Sequence, residues 1–347
     1  MQPTASAVCD LDIPLEDKVR ALRACAAYDR TSGPIEAIET HFAWVFLDEQ
    51  RAYKLKKPVR VGALDQTTLA ARETSCAEEV RLNRRLAPGV YLGVAPLVRR
   101  ENGTLHVGGA GLNVDWLVMM RRLPSELMLD HAIEAGEVPC ERLQQVGELL
   151  AKFYSRQRRI EFSPDAYRRR MAQEIRTDTT ELSAADLALP GALVQSVARQ
   201  ALAACEHVRA DLESRARQRR IVEGHGDLRP EHICLCDPPC IIDSLEFSLD
   251  LRTLDPGEEL AFLSVECERL GNAEAGERVL ESYLGSSRDP IAERLIDFYR
   301  CRRALVRAKL TAWHLRDAQV RNAKPWGTRA EGYLRKAQTY AQRALTR

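Results

Sequence analysis

Strand-forming texture in this chain is confined to two places, and that segregation limits the possible folds more than any other feature. From Ile35 to Val61 β-branched and aromatic residues dominate. Phe42-Ala43-Trp44-Val45-Phe46-Leu47, a polar turn at Asp48-Glu49-Gln50 and then Ala52-Tyr53-Lys54-Leu55 form a hairpin signature. Further strands are expected at Gly93–Arg99, Leu105–Val107 and Asp115–Met120. Beyond Arg121-Arg122-Leu123-Pro124 helical periodicity takes over, as in Glu141–Arg158, where Leu143, Val146, Leu149, Leu150 and Phe153 share one side. Only Ile221–Ser248 interrupts it, with short apolar runs and turn residues, and helical texture resumes near Pro256. Strands gathered first and helices after predict an α+β fold rather than the alternating units of a parallel sheet.

Two helices are expected inside the sheet-rich part. Leu15–Tyr28 alternates charge with Leu and Ala until Thr31-Ser32-Gly33-Pro34 breaks it. Thr68–Leu86 places Leu69, Cys76, Val80, Leu82 and Leu86 among charges and runs up to Pro88-Gly89. At 347 residues the chain exceeds the usual domain size, so two substructures are expected. The expected division is a helical extension at 1–34, a sheet-rich part at 35–121 and a helical part at 122–347 that contains the 225–248 island.

Composition removes several function classes. Hydrophobic residues at 45% and charged residues at 29% are ordinary for a chain that buries a large core, which excludes global disorder. No stretch approaches the roughly 18–20 apolar residues of a membrane-spanning helix; Ala110–Met120 and Leu260–Val265 are far too short. Met1–Leu11 has neither a basic start nor a long apolar run, so no secretory signal is expected. Ten scattered cysteines without such a signal read as reduced thiols, and a cytoplasmic location follows as the expectation. The net charge of +1 conceals a division: residues 294–347 hold 14 Lys and Arg against 3 acidic residues, with Trp313, Trp326, Tyr333 and Tyr340 interspersed. Such an end fits nucleic acid, an anionic substrate, or, as is expected here, a solvated helix face with charge pairing to the rest of the molecule.

The island carries the chemistry. It reads His225-Gly226-Asp227-Leu228-Arg229-Pro230-Glu231-His232-Ile233, then Ile241-Ile242-Asp243-Ser244-Leu245-Glu246-Phe247, so two carboxylates 16 positions apart each adjoin a short apolar strand. Phosphoryl transfer from a nucleotide needs such a pair, one carboxylate to take or orient the hydroxyl proton and another to hold the magnesium that bridges the phosphates. His232-x-Cys234-x-Cys236-x3-Cys240 also offers ligand types suited to zinc. Its spacing is unusual and Pro238-Pro239 reads as a hairpin turn, so buried or half-buried thiols are the expectation.

The loop His225-Gly226-Asp227 and the later Asp243 resemble the catalytic loop and metal-binding Asp of aminoglycoside phosphotransferases, a branch of the protein-kinase-like superfamily. Glu39–Leu47, Ala52–Val59, Arg81-Leu82-Asn83-Arg84-Arg85-Leu86-Ala87-Pro88 and Tyr91-Leu92-Gly93-Val94 look like a bacterial subgroup whose members are sometimes fused to a P-loop ATPase-like domain. The resemblance spans most of residues 35–270, and with no Gly-x-x-x-x-Gly-Lys-Ser/Thr segment here the expectation is the kinase-like part alone. It implies a two-lobed kinase-like fold: a small antiparallel-sheet N-lobe with one main helix, and a larger helical C-lobe.

The resemblance also implies roles. Asp227 would be the catalytic base, with His225 and Arg229 beside it in the loop, and Asp243 the metal ligand. A lysine on the third N-lobe strand would pair with nucleotide phosphates and a helix glutamate. Lys54 is the first choice, with Lys56 on the same face as the fallback, and Glu79 is chosen over Glu78 as the partner. Met119 and Met120, just before the lobe boundary, would contact the adenine. Asp255-Pro256-Gly257-Glu258-Glu259-Leu260-Ala261-Phe262 looks like a scaffold stretch of the family with Glu259 replacing an Asp; Asp255 would cap the helix and hydrogen-bond the catalytic loop.

Two departures stand against the pattern. His232 occupies the position of an Asn that usually ligates a second magnesium, and imidazole is a poor magnesium ligand. One metal would then suffice, manganese would replace magnesium, or His232 would contact phosphate directly. No Gly-x-Gly-x-x-Gly loop joins the first two strands of the hairpin. The expected function is ATP- and Mg2+-dependent phosphorylation of a hydroxyl on a small-molecule acceptor, with a nucleotide-binding pseudokinase and a nucleic-acid-binding protein as the competing readings.

Overall fold

The computed structural model describes residues 13–29, 33–62, 64–316 and 325–347. Met1–Leu11 and the turn residues Thr31 and Ser32 lie outside the described residues. The chain divides into two compact units, one up to Pro124 together with Ile242–Ser248, the other Ser125–Ile241 with Leu249–Arg347.

The first unit begins with helix α1 (Leu15–Leu22) and a short 3-10 turn at Cys25–Ala27. Strands β1 (Glu36–Glu39), β2 (Ala43–Leu47) and β3 (Arg51–Lys56) follow, then a small hairpin of β4 (Arg60–Val61) and β5 (Leu64–Asp65), helix α2 (Leu69–Asn83), and β6 (Tyr91–Arg99), β7 (Leu105–Val107) and β8 (Leu112–Arg121). Six of the strands form one antiparallel sheet in the order β1-β2-β3-β8-β6-β7.

Alternation along β3 divides the sheet into two faces. Phe46, Tyr53, Leu55, Leu97 and Leu117 pack with Val19, Leu22 and Tyr28 of the N-terminal segment. Lys54 and Lys56 point to the other face, which α2 covers through Glu79. Thr68 starts α2 by accepting the Ala71 N–H at 3.1 Å. Half of the buried side of α2 is polar: Arg72, Glu79 and Asn83 lie there beside Cys76, Val80 and Leu82. Arg72 meets buried Asp115 of β8 at 2.7 Å, and Lys18 of α1 meets the same carboxylate at 2.8 Å.

Three local differences from the sequence reading have physical causes. β1 lies ahead of the expected hairpin; with Glu at both ends and little burial it lacks an apolar alternation. Lys54 therefore stands on the third strand, and the connection between the first two is Thr40-His41-Phe42, where the Thr40 hydroxyl donates to the Ala43 carbonyl at 2.9 Å. Asp48-Glu49-Gln50 belongs to the next turn, capped by Asp48 accepting the Gln50 and Arg51 N–H groups. α2 ends at Asn83, after which the chain tightens into three-residue turns, the Arg85 N–H donating to the Leu82 carbonyl and the Leu86 N–H to the Asn83 carbonyl.

The second unit is built from helices α3 (Leu129–Ala135), α4 (Cys140–Ser155), α5 (Pro164–Leu182), α6 (Gly191–His207) and α7 (Arg209–Arg217), then the strand island, then α8 (Leu249–Arg252), α9 (Pro256–Arg269), α10 (Ala273–Ser287), α11 (Glu293–Trp313) and α12 (Trp326–Thr346). The island consists of β9 (Val222–Glu223), β10 (Ile233–Cys234), β11 (Cys240–Ile241) and β12 (Thr253–Leu254), with β10 paired to β11 and β12 to β9. The turn at Pro238-Pro239 joins β10 to β11, as the sequence suggests. α9 is buried from Pro256 to Cys267, and Tyr167, Ile175, Val197, Leu212, Phe298 and Leu334 lie in the main apolar core.

Much of the basic C-terminal charge is answered inside this unit. Arg302 pairs with Glu174 and Glu258, Arg303 with Glu258 at 2.8 Å, Arg307 with Glu266 at 3.1 Å, Lys309 with Asp178 at 2.5 Å, and Lys336 with Glu268.

Candidate active site

In the first unit the site is built around one buried carboxylate. Glu79 is fully buried on α2 and receives both lysines of β3, Lys54 Nζ at 2.9 Å on Oε1 and Lys56 Nζ at 2.5 Å on Oε2. Two residues apart on an extended strand, the lysines share a face and reach the two oxygens of one group. Lys54 also donates to Asp243 Oδ1 at 2.7 Å, and Lys56 to Glu246 Oε1 at 2.5 Å. Burial opposes charge on Lys54, but Asp243 and Glu79 outweigh it and raise the ammonium well above its ordinary value. Burial likewise opposes ionisation of Glu246, and Lys56 and Lys54 more than compensate, holding its carboxyl below the usual range.

Asp243 is presented by a constrained turn. Its φ of +65° is left-handed, a region that Asp tolerates better than most residues. The Asp243 N–H donates to the Tyr91 hydroxyl at 3.1 Å, and the next N–H, of Ser244, donates to Asn83 Oδ1 at 2.8 Å. Asn83 in turn donates to the Glu79 carbonyl at 2.9 Å, so the turn of α2 after Glu79 supports the Asp243 segment. Burial, Glu79 and Asp243 keep Tyr91 a neutral hydroxyl, raised well above its ordinary pKa. The Asp243 side chain is 41% exposed, and Lys54, which it shares with Glu79, 17%.

The two methionines part company. Register pairs Met120 with Ala52 and Tyr91, on the Lys54 face, whereas Met119 pairs with Tyr53 and packs against the core around Tyr28. Residues adjacent on a strand face opposite sides, so the expectation that both methionines meet one base is corrected: they do not share a face, and Met119 lies on the core side.

In the second unit, β9 leads into Gly224-His225-Gly226-Asp227. Gly226 has φ of +92°. A Cβ on Gly224 would stand 2.7 Å from Glu259 Oε2, so glycine is required for the close approach of α9. Glu259 accepts the His225 N–H at 3.0 Å, the Gly226 N–H, and the Tyr154 hydroxyl at 2.6 Å. Burial raises the Glu259 carboxyl above its usual range, while the His225 and Tyr154 hydrogen bonds pull it back. The residue that clamps the loop leading to Asp227 is therefore Glu259, not Asp255. Asp255 caps α9 through the Gly257 N–H at 2.8 Å, and its oxygens are taken by Arg215 at 2.6 and 2.8 Å.

Asp227 itself lies among the other loop residues named from sequence. Arg229 donates to Asp227 Oδ2 at 3.0 Å and to Glu231 at 2.7 Å, and contacts His232 Nε2 at 3.2 Å. His232 Nδ1 lies 2.8 Å from the Asp227 carbonyl. That carbonyl and the guanidinium fix the tautomer: Nδ1 donates and Nε2 accepts. Both ring nitrogens are thereby engaged, which does not fit His232 as a metal ligand. The Asp227 N–H donates to His225 Nδ1 at 3.2 Å, so buried His225 supports the Asp227 backbone from behind.

Tyr91, Asn83, Glu246, Tyr154 and the clamping role of Glu259 were not legible as site features. Asn83 carried a usable signal, lying four residues after Glu79 on the same helical face. Tyr91 and Tyr154 carried none, because their partners are distant in sequence.

No family model matches the chain. Uncharacterized proteins of Mycobacterium tuberculosis and Mycobacterium bovis are 34% identical over 291 residues, covering 82% of this chain and 56% of theirs. The chain thus spans a little over half the length of the curated relatives it matches. Among solved structures, a choline/ethanolamine kinase family protein from Mesorhizobium loti superposes with a TM-score of 0.59 at 18% identity, covering 95% of this chain and 98% of that one. A thermostable mutant of an aminoglycoside phosphotransferase gives 0.43 at 14% identity over 87% and 94%, which adds no weight. With an antiparallel sheet backed by the Glu79 helix, a helical second unit, and a superposition spanning nearly all of the chain, the chain has the fold of the protein-kinase-like superfamily.

Proposed function

We propose that this chain is an ATP-dependent phosphotransferase that moves the γ-phosphate to a hydroxyl of a small-molecule acceptor. The observation that carries this is the position of Lys54 Nζ, bonded at once to Glu79 and Asp243. A buried glutamate holds the lysine charged and aimed, which is what a phosphate-binding lysine requires. Lys56 and Glu246 brace the same glutamate from its other oxygen. Met120 is assigned to the adenine. Asp227 is assigned as the base that takes the hydroxyl proton, held by His225 and Arg229.

Asp243 fits Mg2+, or Mn2+ in its place, as an exposed hard oxygen donor. The bound ion would neutralise charge on the phosphates. His232 is assigned to bracing the Asp227 loop, and this reading uses one metal ligand, Asp243, among the residues named.

A second reading, a nucleotide-binding pseudokinase, draws on His232, whose nitrogens are both committed where the family uses a metal-ligating Asn. Calorimetry with ATP and Mg2+ tests the nucleotide site in either case. Asp243→Ala is expected to weaken metal-dependent ATP binding at least about 10-fold, an effect of about 1.4 kcal/mol or more. Unchanged binding would remove Asp243 from the site, and binding without turnover on any hydroxyl acceptor would favour the pseudokinase.

A further inference from the structure

Three thiols meet on the hairpin that follows the Asp227 loop. Cys234 and Cys240 are register partners across β10 and β11. Cys236 lies in the connecting turn with its Sγ 3.8 Å from that of Cys240. All three Sγ atoms lie within 4.8 Å of one another; Cys234 and Cys240 are buried and Cys236 is half-buried. Core cysteines ordinarily act singly as small apolar residues, so three converging on a five-residue connection call for another explanation.

The spacing supplies one. Thiolates bind zinc at about 2.3 Å, and a tetrahedral arrangement then sets neighbouring sulfurs about 3.8 Å apart. The Cys236–Cys240 separation has that value without any rearrangement. A disulfide would use two of the thiols and leave the third with no role. His232, which the sequence spacing offered as a fourth ligand, is committed to the Asp227 carbonyl and Arg229. Asp237, in the same turn, has its carboxylate 3.0 Å from Arg142.

We infer that Cys234, Cys236 and Cys240 form a three-thiolate site for a soft or borderline cation of the Zn2+ class, with a fourth, exchangeable position occupied by water. Each thiol gives its proton to solvent as its sulfur–metal bond forms, and no electron is transferred. The ion enters on the side of half-buried Cys236. Its effect is to tie the turn to both strands of the hairpin. The site stands on the sulfur geometry alone and does not depend on the phosphotransferase reading.

The test uses the full chain, fully reduced and freed of metal, titrated with Zn2+ against a chromophoric chelator and separately with Co2+ as a spectroscopic probe. The expected result is one equivalent of Zn2+ per chain, and for Co2+ a thiolate charge-transfer band with the visible bands of a tetrahedral ion. Cys236→Ser is expected to weaken Zn2+ binding on the order of 100-fold or more, while Cys140→Ser, at an exposed cysteine elsewhere, leaves it unchanged. Failure of the reduced wild-type chain to bind either ion would overturn the site whatever the variants do. So would a Co2+ spectrum without thiolate bands, or wild-type affinity in a folded Cys236→Ser protein.

Discussion

Lys54 and Lys56 grip one glutamate, but their surroundings predict different consequences of losing each. Lys56 is 2% exposed and is shared between Glu79 and Glu246, themselves at 0% and 11%. Lys56→Met leaves two poorly solvated carboxylates sharing fewer cations, and a loss of about 3–5 kcal/mol is expected in urea unfolding. Lys54→Met leaves Glu79 paired with Lys56 and takes one partner from the more exposed Asp243, so it is expected to cost less stability and far more turnover. Acid stability adds a check with a definite sign. Because Glu246 titrates lower in the folded chain than its ordinary value of about 4.3, its contribution is complete above that pH. It is lost as pH falls through the folded value, where the native carboxylate takes up its proton. Melting temperature followed from pH 6 downward should therefore fall more gently in Glu246→Gln than in wild type. At this scale the sequence showed which groups carry charge on the Lys54 face, since strand alternation is local, but not Tyr91, whose partner Asp243 lies 152 positions away.

At the scale of elements, the His225–Asp227 loop is shaped by the first turns of α9. Glu259→Ala would orphan the His225 and Gly226 N–H groups and the Tyr154 hydroxyl. Buried donors left unpaired cost about 1–3 kcal/mol each, so a loss of at least about 2 kcal/mol is expected in chemical denaturation, together with a fall in kcat larger than any change in KM. Gly224→Ala pushes a methyl against the same carboxylate and against Leu254, and should cost about 1–3 kcal/mol by the same measurement. The hairpin of β2 and β3 and the helix α2 were legible because period-2 and period-3.6 patterns report on nearest neighbours. The edge strand β1 was not, having Glu at both ends and no buried face of its own. That Glu259 rather than Asp255 holds the His225–Asp227 loop was equally hidden, because the Asp255 oxygens go to Arg215, 40 positions away.

Across the whole molecule the near-zero net charge is a balance between unlike segments. The first 293 residues are net acidic and the last 54 strongly basic. The pairs that Arg302, Arg303, Arg307, Lys309 and Lys336 make with acidic residues of α5 and α9 neutralise much of that end from within its own unit. The chain is therefore expected to bind labelled single- and double-stranded polynucleotides no more tightly than about 10⁻⁴ M at physiological salt, measured by fluorescence anisotropy. Micromolar binding with a steep salt dependence would restore the nucleic-acid reading. The sequence displayed the asymmetry but not its resolution, since ion pairing between distant helices leaves no local pattern.

The most direct test of phosphoryl transfer is ADP formation from ATP and Mg2+ over a panel of small hydroxylated metabolites, aminoglycosides and proteins, run side by side with wild type and Asp227→Ala. Wild type is expected to form ADP with a hydroxylated small molecule. Asp227→Ala is expected to lose at least about 100-fold in rate, as removal of a general base does, with ATP affinity nearly unchanged. Equal rates in the two proteins would contradict the assignment of Asp227 as the base and the mechanism built on it.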